Sequence, residues 1–316
     1  MNRKGNRVFS TAKALVLLLA YAFLIYKLSD FTHWDELFAA FTEKSTARMS
    51  LLFIVLAMMP VNWVLEAWKW QQLNAPALRI TFRQSIKGVL AGLNSGFITP
   101  NRIGEFAGRI VFLPQGHRTT GTVLSFVNSL MQNLVIISFG LPAAIVFFSR
   151  HYIAINIQLY LITVGLAIAA LALLIFTLPA LSRKINLSSL SENIKSAFRT
   201  LTEFNRSKLM HILLISVLRY MLFSLQFYLM LRFFVVEVAP ADALYAIPLM
   251  YLFITFTPSI FIAEPAVRGS LALLIFSSFS PNEPGIFFTV ITIWLINFVV
   301  PMIAGSLILL KKREVN

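Results

Sequence analysis

The sequence predicts an all-α, polytopic transmembrane helix bundle, with about six full spans and two broken, re-entrant helical hairpins in an inverted repeat. Three observations predict it. The 316 residues are 58% hydrophobic and 13% charged, with a mean hydropathy of +0.78, far outside the usage of soluble domains. Apolar runs long enough to cross a bilayer recur along the chain. A short polar pattern also occurs twice, its threonines Thr99 and Thr257 lying 158 residues apart, half the length of the chain.

In order, a first span is predicted at residues 11–29 and a second at 50–68, closed by Trp63, Trp68 and Trp70 as an aromatic belt. The basic start also fits a secretory signal peptide. Its apolar core runs on to Tyr26-Lys27 without a small-residue cleavage site, so it reads as an uncleaved span. Gly88–Ile98 is apolar but would be about 16 Å long as a helix, too short to cross. Full spans follow at 121–148, 156–179 and 209–231. Asp242–Thr257 is short again and carries Pro248; after the second motif comes another short apolar stretch, Pro265 to Phe279. The last span, 285–310, ends in Lys311-Lys312-Arg313. The chain reads as one integral membrane domain, 1–316, with half-repeats of about 1–155 and 156–316. Between them, in the segment 185–206, Leu187, Leu190, Ile194, Phe198, Leu201 and Phe204 recur at helical spacing among basic residues. That predicts an amphipathic helix on the cytoplasmic leaflet, with a solvated linker helix as the alternative.

Charge orients the bundle. The chain has 27 basic and 13 acidic residues, a net charge of +14. The basic residues lie between apolar segments, so topology and anionic lipid explain them and nucleic acid does not. If each hairpin enters and leaves by the same face, 20 of the 27 basic residues fall on one side. The positive-inside rule makes that side cytoplasmic and places both termini there, in the inner membrane of a cell. Three spans then separate the hairpins, so they enter from opposite faces, as in many secondary transporters. The absence of cysteine removes disulfides, thiolate metal sites, thiol nucleophiles and palmitoylation together.

The two motifs carry the chemistry. The first runs Thr99-Pro100-Asn101-Arg102-Ile103-Gly104-Glu105-Phe106-Ala107-Gly108-Arg109; the second runs from Thr257-Pro258 through Glu264-Pro265-Ala266-Val267-Arg268. In each, an arginine follows a glutamate by four residues. Charge among apolar segments is costly and points to function. Thr99 before Pro100 suits a helix N-cap and first turn, with Glu105 and Arg109 on one face. Pro265 biases Glu264 away from helical geometry, so Glu264 reads as a cap and its pairing with Arg268 as the weaker one. Both helix starts aim N–H groups inward, suiting an anion, and Arg102, Arg109 and Arg268 could supply forked donors to phosphate. The alternative is that each Glu–Arg set only neutralises itself.

These residues resemble a known family. Pro100, Gly104, Glu105 and Arg109 look like the Pro-x-x-x-Gly-Glu signature of the lysylphosphatidylglycerol synthase transmembrane-region, or flippase-like, family. Asn62-Trp63, followed by Glu66-Ala67-Trp68-Lys69-Trp70-Gln71-Gln72-Leu73, resembles the end of its second span. The stretch before Glu264 differs from the family's usual glycine-rich form, having Ser259-Ile260-Phe261-Ile262-Ala263. The resemblance covers nearly the whole chain and implies lipid translocation between leaflets. It does not imply aminoacyl transfer, because the soluble synthase domain of lysine-attaching members is expected to be absent beyond Asn316.

Arg219 lies mid-span and must face protein or water, in a substrate or gating role or in simple pairing. Glu66 and Lys69 read as an interfacial pair at a span's end. Asn94, Asn128, Gln132 and Asn133 suit interhelical hydrogen bonding or, less commonly, a polar path. His33, His117, His151 and His211 show no metal spacing, and phosphate-loop, nucleophile-elbow and dinucleotide motifs are missing. No cofactor, metal or catalytic residue is therefore expected. Asp35-Glu36, in the first outside loop, is the one enzyme-like feature, an acidic pair of the kind membrane glycosyltransferases using lipid-linked sugars keep. The expected substrate-binding residues are Thr99, Pro100, Asn101, Arg102, Gly104, Glu105, Arg109, Arg219, Glu264 and Arg268. The first-ranked function is a flippase or transporter for an anionic phospholipid or lipid-linked intermediate. The second is a membrane scaffold that partners envelope-biosynthesis enzymes, and the third the transferase.

Overall fold

The computed structural model describes residues 46–99, 102–152, 156–184, 189, 191–257 and 263–315. The predicted first span, the Asp35-Glu36 pair, Pro100, Asn101 and the stretch Pro258–Ile262 lie outside them. So does the start of the predicted amphipathic segment.

The described residues are helical, with no strand among them. α1 is Thr46–Asn74, α2 Phe82–Ile98, α3 Gly104–Ile110, α4 Arg118–His151, α5 Ile157–Lys184 and α6 Glu192–Thr202. α7 is Arg206–Phe233, α8 Pro240–Phe256, α9 Glu264–Phe276, α10 Glu283–Trp294 and α11 Val300–Val315. Among the described residues, five stretches are long and apolar enough to cross a membrane: α1, α4 with its preceding turn, α5, α7, and α10 running on into α11. The polytopic helical bundle is as the sequence predicts; α1, α4 and α7 extend beyond both predicted limits, while α5 begins one residue later than predicted and runs on to Lys184.

Local chemistry sets the boundaries. Thr81 and Gln84 form a reciprocal capping box that starts α2: Thr81 Oγ1 accepts the Gln84 N–H at 3.2 Å, and Gln84 Oε1 accepts the Thr81 N–H at 2.9 Å. This start lies six residues before Gly88, where the apolar run begins. Asn205 caps α7 through the Lys208 N–H, and Asn282 caps α10 through the Gly285 N–H. Between α10 and α11 the helix widens into a π-turn over Leu295–Val299. Pro301 explains it: the proline has no N–H to give the Asn297 carbonyl, and its ring crowds that oxygen.

The bundle is built by exchange. α1 packs on α7; α4 packs on α8; α11 packs on α2. Exchanging the half that holds α1–α4 with the half that holds α7–α11 therefore carries one set of contacts onto the other. Each half lays its last long helix against the other's shorter, interrupted helix. α5 stands outside this arrangement, packing on α4 and α6 with only about 6% of its most apolar stretch buried.

Two expectations are corrected here. Trp70 is 1% exposed and packs in the core beneath Arg109, so it belongs to no interfacial belt. α6 docks on α4 and α5, and its apolar face, with Leu201 and the following Phe204, joins a cluster with Val127, Ile175 and Leu209. It is a protein-packed helix and does not lie with that face on a leaflet.

Candidate functional site

Both interruptions begin alike. Thr99 ends α2 and Thr257 ends α8, each with extended backbone (φ −107°, ψ 143° and φ −82°, ψ 120°). Thr99 thus terminates α2, and the next described α-helix begins at Gly104. Its Oγ1 reaches across the break and accepts the Gly104 N–H at 2.7 Å, so that first amide of α3 is already satisfied. α3 crosses α2 at very close range. A Cβ at Gly104 would lie 2.3 Å from the Ser95 carbonyl oxygen, and one at Gly108 2.3 Å from that of Ala91. Small residues let the backbones approach this way in membrane bundles.

α3 turns Arg109 inward. Arg109 Nη2 donates at 2.5 Å to Glu105 Oε1, the predicted i,i+4 pair, and at 2.5 Å to Glu66 Oε1. Glu66 is the hub. It is 3% exposed, and it also binds Lys69 at 3.2 Å, Asn128 Nδ2 at 2.8 Å and the Arg219 guanidinium. Lys69 is fully buried and donates further to Ser216 Oγ at 3.2 Å. The interfacial reading of Glu66 and Lys69 is therefore overturned: the carboxylate sits where α1, α3, α4 and α7 converge. Arg219 completes the set through Asn62 Oδ1 at 2.9 Å and Gln132 Oε1 at 3.2 Å. Asn94 takes no part, donating instead to Ser306 Oγ and the Met302 carbonyl of α11.

The second break is simpler. α9 opens at Glu264 itself with Pro265 in its first turn, one residue earlier than a capping role requires. The Glu264–Arg268 pair is not the weak one. Arg268 Nε and Nη2 both donate to Glu264 Oε1, at 3.1 and 2.6 Å. The two breaks meet at Phe298 in the π-turn, whose ring carries the Arg102 guanidinium 4.4 Å and the Arg268 guanidinium 4.7 Å from its centre.

All of this surrounds one cavity of about 510 Å³. Arg102, Glu105, Arg109, Arg219, Glu264 and Arg268 line it together with Glu66, Asn128 and Gln132, and exposed Ile103 and Phe256 form part of its wall. Thr99 and Gly104 act behind the wall, shaping the break.

Compared with known families, residues 11–305 match the model of the lysylphosphatidylglycerol synthase TM region. The chain belongs to that family. None of the curated proteins compared with it matches. As a member of the lysylphosphatidylglycerol synthase transmembrane-region family it is an integral membrane protein with a lipid-related role. The two stretches that carry the family resemblance, Asn62–Leu73 and the first motif, touch each other directly at the Glu66–Arg109 pair. Sequence reading missed Glu66 as the hub and Phe298 as the meeting point. A signal for the first was present: a glutamate and a lysine three residues apart, followed by Trp70, on a helix that continues to Asn74.

Proposed function

We propose that this protein passes a lipid with an anionic head group between leaflets through the cavity between its two breaks, performing no bond-making step of its own. Charge carries the reading. Among the described residues, Arg102, Arg109, Arg219 and Arg268 line this cavity with Glu66, Glu105 and Glu264, and Lys69 lies behind its wall against Glu66. Five cations against three carboxylates leave a surplus that a bound anion neutralises, and buried cations without a counter-charge are costly. The exchanged packing of the halves supports an inverted pair of breaks, the construction of an alternating-access site. The apolar wall at Ile103 and Phe256 suits acyl chains beside a charged head group.

The test is flipping of fluorescent phosphatidylglycerol in reconstituted vesicles, read by an impermeant quencher. Wild type should exceed protein-free vesicles, and Arg268→Ala should lower the rate at least about tenfold, the effect of roughly one strong charge-assisted contact. Equal rates with and without protein would sink the transport reading. Such a result would favour the scaffold that partners envelope enzymes, the reading supported by the closed Glu105–Arg109 and Glu264–Arg268 pairs.

Orientation is part of the proposal, with both termini in the cytoplasm of a cell membrane. Cysteines placed at Asn2 and Asn316 should resist an impermeant thiol reagent in intact cells, while one at Glu283 reacts. A reactive terminus would reverse the assignment.

A further inference from the structure

Arg102 differs from the other cations of the cavity in three ways. Its backbone is left-handed, with φ 59°, which side-chain-bearing residues adopt rarely and at a cost. Its side chain is 31% exposed, against 5% for Arg109 and 14% for Arg219. Its contact with Glu105 is long, 4.0 Å, whereas the other arginines bind carboxylates at hydrogen-bonding distance. A residue that served only to neutralise Glu105 would not need a strained backbone to reach it so poorly. What the strained turn does achieve is to set the guanidinium against Phe298, the ring that also holds Arg268 from the other break.

From this geometry we infer that Arg102 and Arg268 form a two-armed clamp for a phosphate group, with Phe298 as the positioning residue that spaces the arms. The inference rests on the anionic-head-group reading and narrows it to phosphate. Sharing one ring keeps the two guanidinium carbons within about 9 Å of each other, and the ring's quadrupole attracts both cations and so offsets part of their repulsion. A phosphate accepts from guanidinium forks at about 2.8 Å on more than one side and can give each arm a pair of oxygens; a carboxylate has only two oxygens in one plane, so between two arms it gives each a single oxygen, as Glu66 does with Arg109 and Arg219. Arg109, held by two carboxylates and 5% exposed, is no arm of the clamp; Arg268, 12% exposed, is held by one carboxylate, with Nε and Nη2 on the same oxygen. The π-turn brought about by Pro301 places Phe298 between the breaks, as such turns often serve sites.

The test uses the full chain in detergent, with short-chain phosphatidylglycerol, short-chain phosphatidylcholine, glycerol 3-phosphate and a short-chain fatty acid as probes, read by thermal shift. Arg102→Gly relieves the strained backbone, so without probe it should melt at or above wild type, yet its response to phosphatidylglycerol should weaken about tenfold. Arg102→Lys, which keeps the charge, and Phe298→Leu, which keeps the apolar bulk, should each weaken it several-fold. The fatty acid should shift the wild type little. A wild-type shift with phosphatidylglycerol alone places a lipid head group in the clamp, and one with glycerol 3-phosphate as well places a phosphate free of its chains there. The clamp is overturned if Arg102→Gly melts lower than wild type with its probe response intact, or if phosphatidylglycerol does no more than the fatty acid; a response to phosphatidylcholine, which carries a phosphate without net charge, equal to that to phosphatidylglycerol would overturn the anionic-head-group reading and keep the phosphate contact. Vesicle flipping with unaltered Arg102 variants would leave transport standing without the clamp. Arg102-dependent binding without flipping would leave the clamp without transport.

Discussion

Glu66→Ala is expected to reduce accumulation of the protein in the membrane to a small fraction of wild type. One carboxylate, almost wholly buried, holds Lys69, Arg109 and Arg219 from three different helices, and its removal leaves them facing one another. Taking one partner from a buried charge pair costs about 3–5 kcal/mol, and here three pairs share the partner. Neutralising the cations as well separates structure from function. A combined replacement of Glu66, Lys69 and Arg219 by glutamine should recover abundance, because no unbalanced charge stays behind, while flipping stays lost. Wild-type abundance and melting temperature in Glu66→Ala, measured by membrane immunoblot and thermal melt, would show that the hub does not hold the bundle together.

Gly108→Leu should be nearly as damaging, and Gly108→Ala should already lower the melting temperature. Intrinsic propensity argues the other way, since alanine is the better helix former by about 1 kcal/mol. Overpacking costs about 1–3 kcal/mol and wins, because the clash is with the Ala91 carbonyl oxygen, a backbone atom that no rotamer change can move. Relief requires α3 to back away from α2, which draws Arg109 off Glu66, so activity should fall with stability. Gly165→Ala in α5 is the control: nothing lies within 4 Å of the added Cβ, and the same substitution there should leave melting unchanged or slightly raised. Equal effects at the two positions would show that the close crossing of α2 and α3 is not limiting.

Much of this was legible in the chain because apolar length and paired motifs are local signals. The spans follow from runs such as Ile157–Lys184, and the Glu105–Arg109 pair follows from i,i+4 spacing on one helix. The Glu66 hub is different. Its partners lie 43 and 153 residues away on other helices, and only packing brings them together. Spacing also misjudged Glu264: the backbone preference before Pro265 pointed to a cap, but Ala263 takes that position and frees Glu264 to pair with Arg268. Phe298 gave no signal of its own, being one of 29 phenylalanines. The nearest clue was Pro301, which lies where an uninterrupted helix would need a donor.

The exchanged packing of the halves also sets a timetable for synthesis. Gly305 closes on the Leu90 carbonyl, and Asn94 of α2 finds its acceptor at Ser306, 212 residues further along the chain. At ordinary elongation rates that is a delay on the order of ten to forty seconds. Throughout it, the first break sits in the membrane beside its own helices but without the one that covers it. The nascent chain must therefore keep Arg109 neutralised by Glu66 and Glu105, which are made early, before the later partners arrive. Ribosomes stalled before and after residue 306 should consequently carry the same half-bundle in two states, one open to chaperone or lipid at α2 and one sealed.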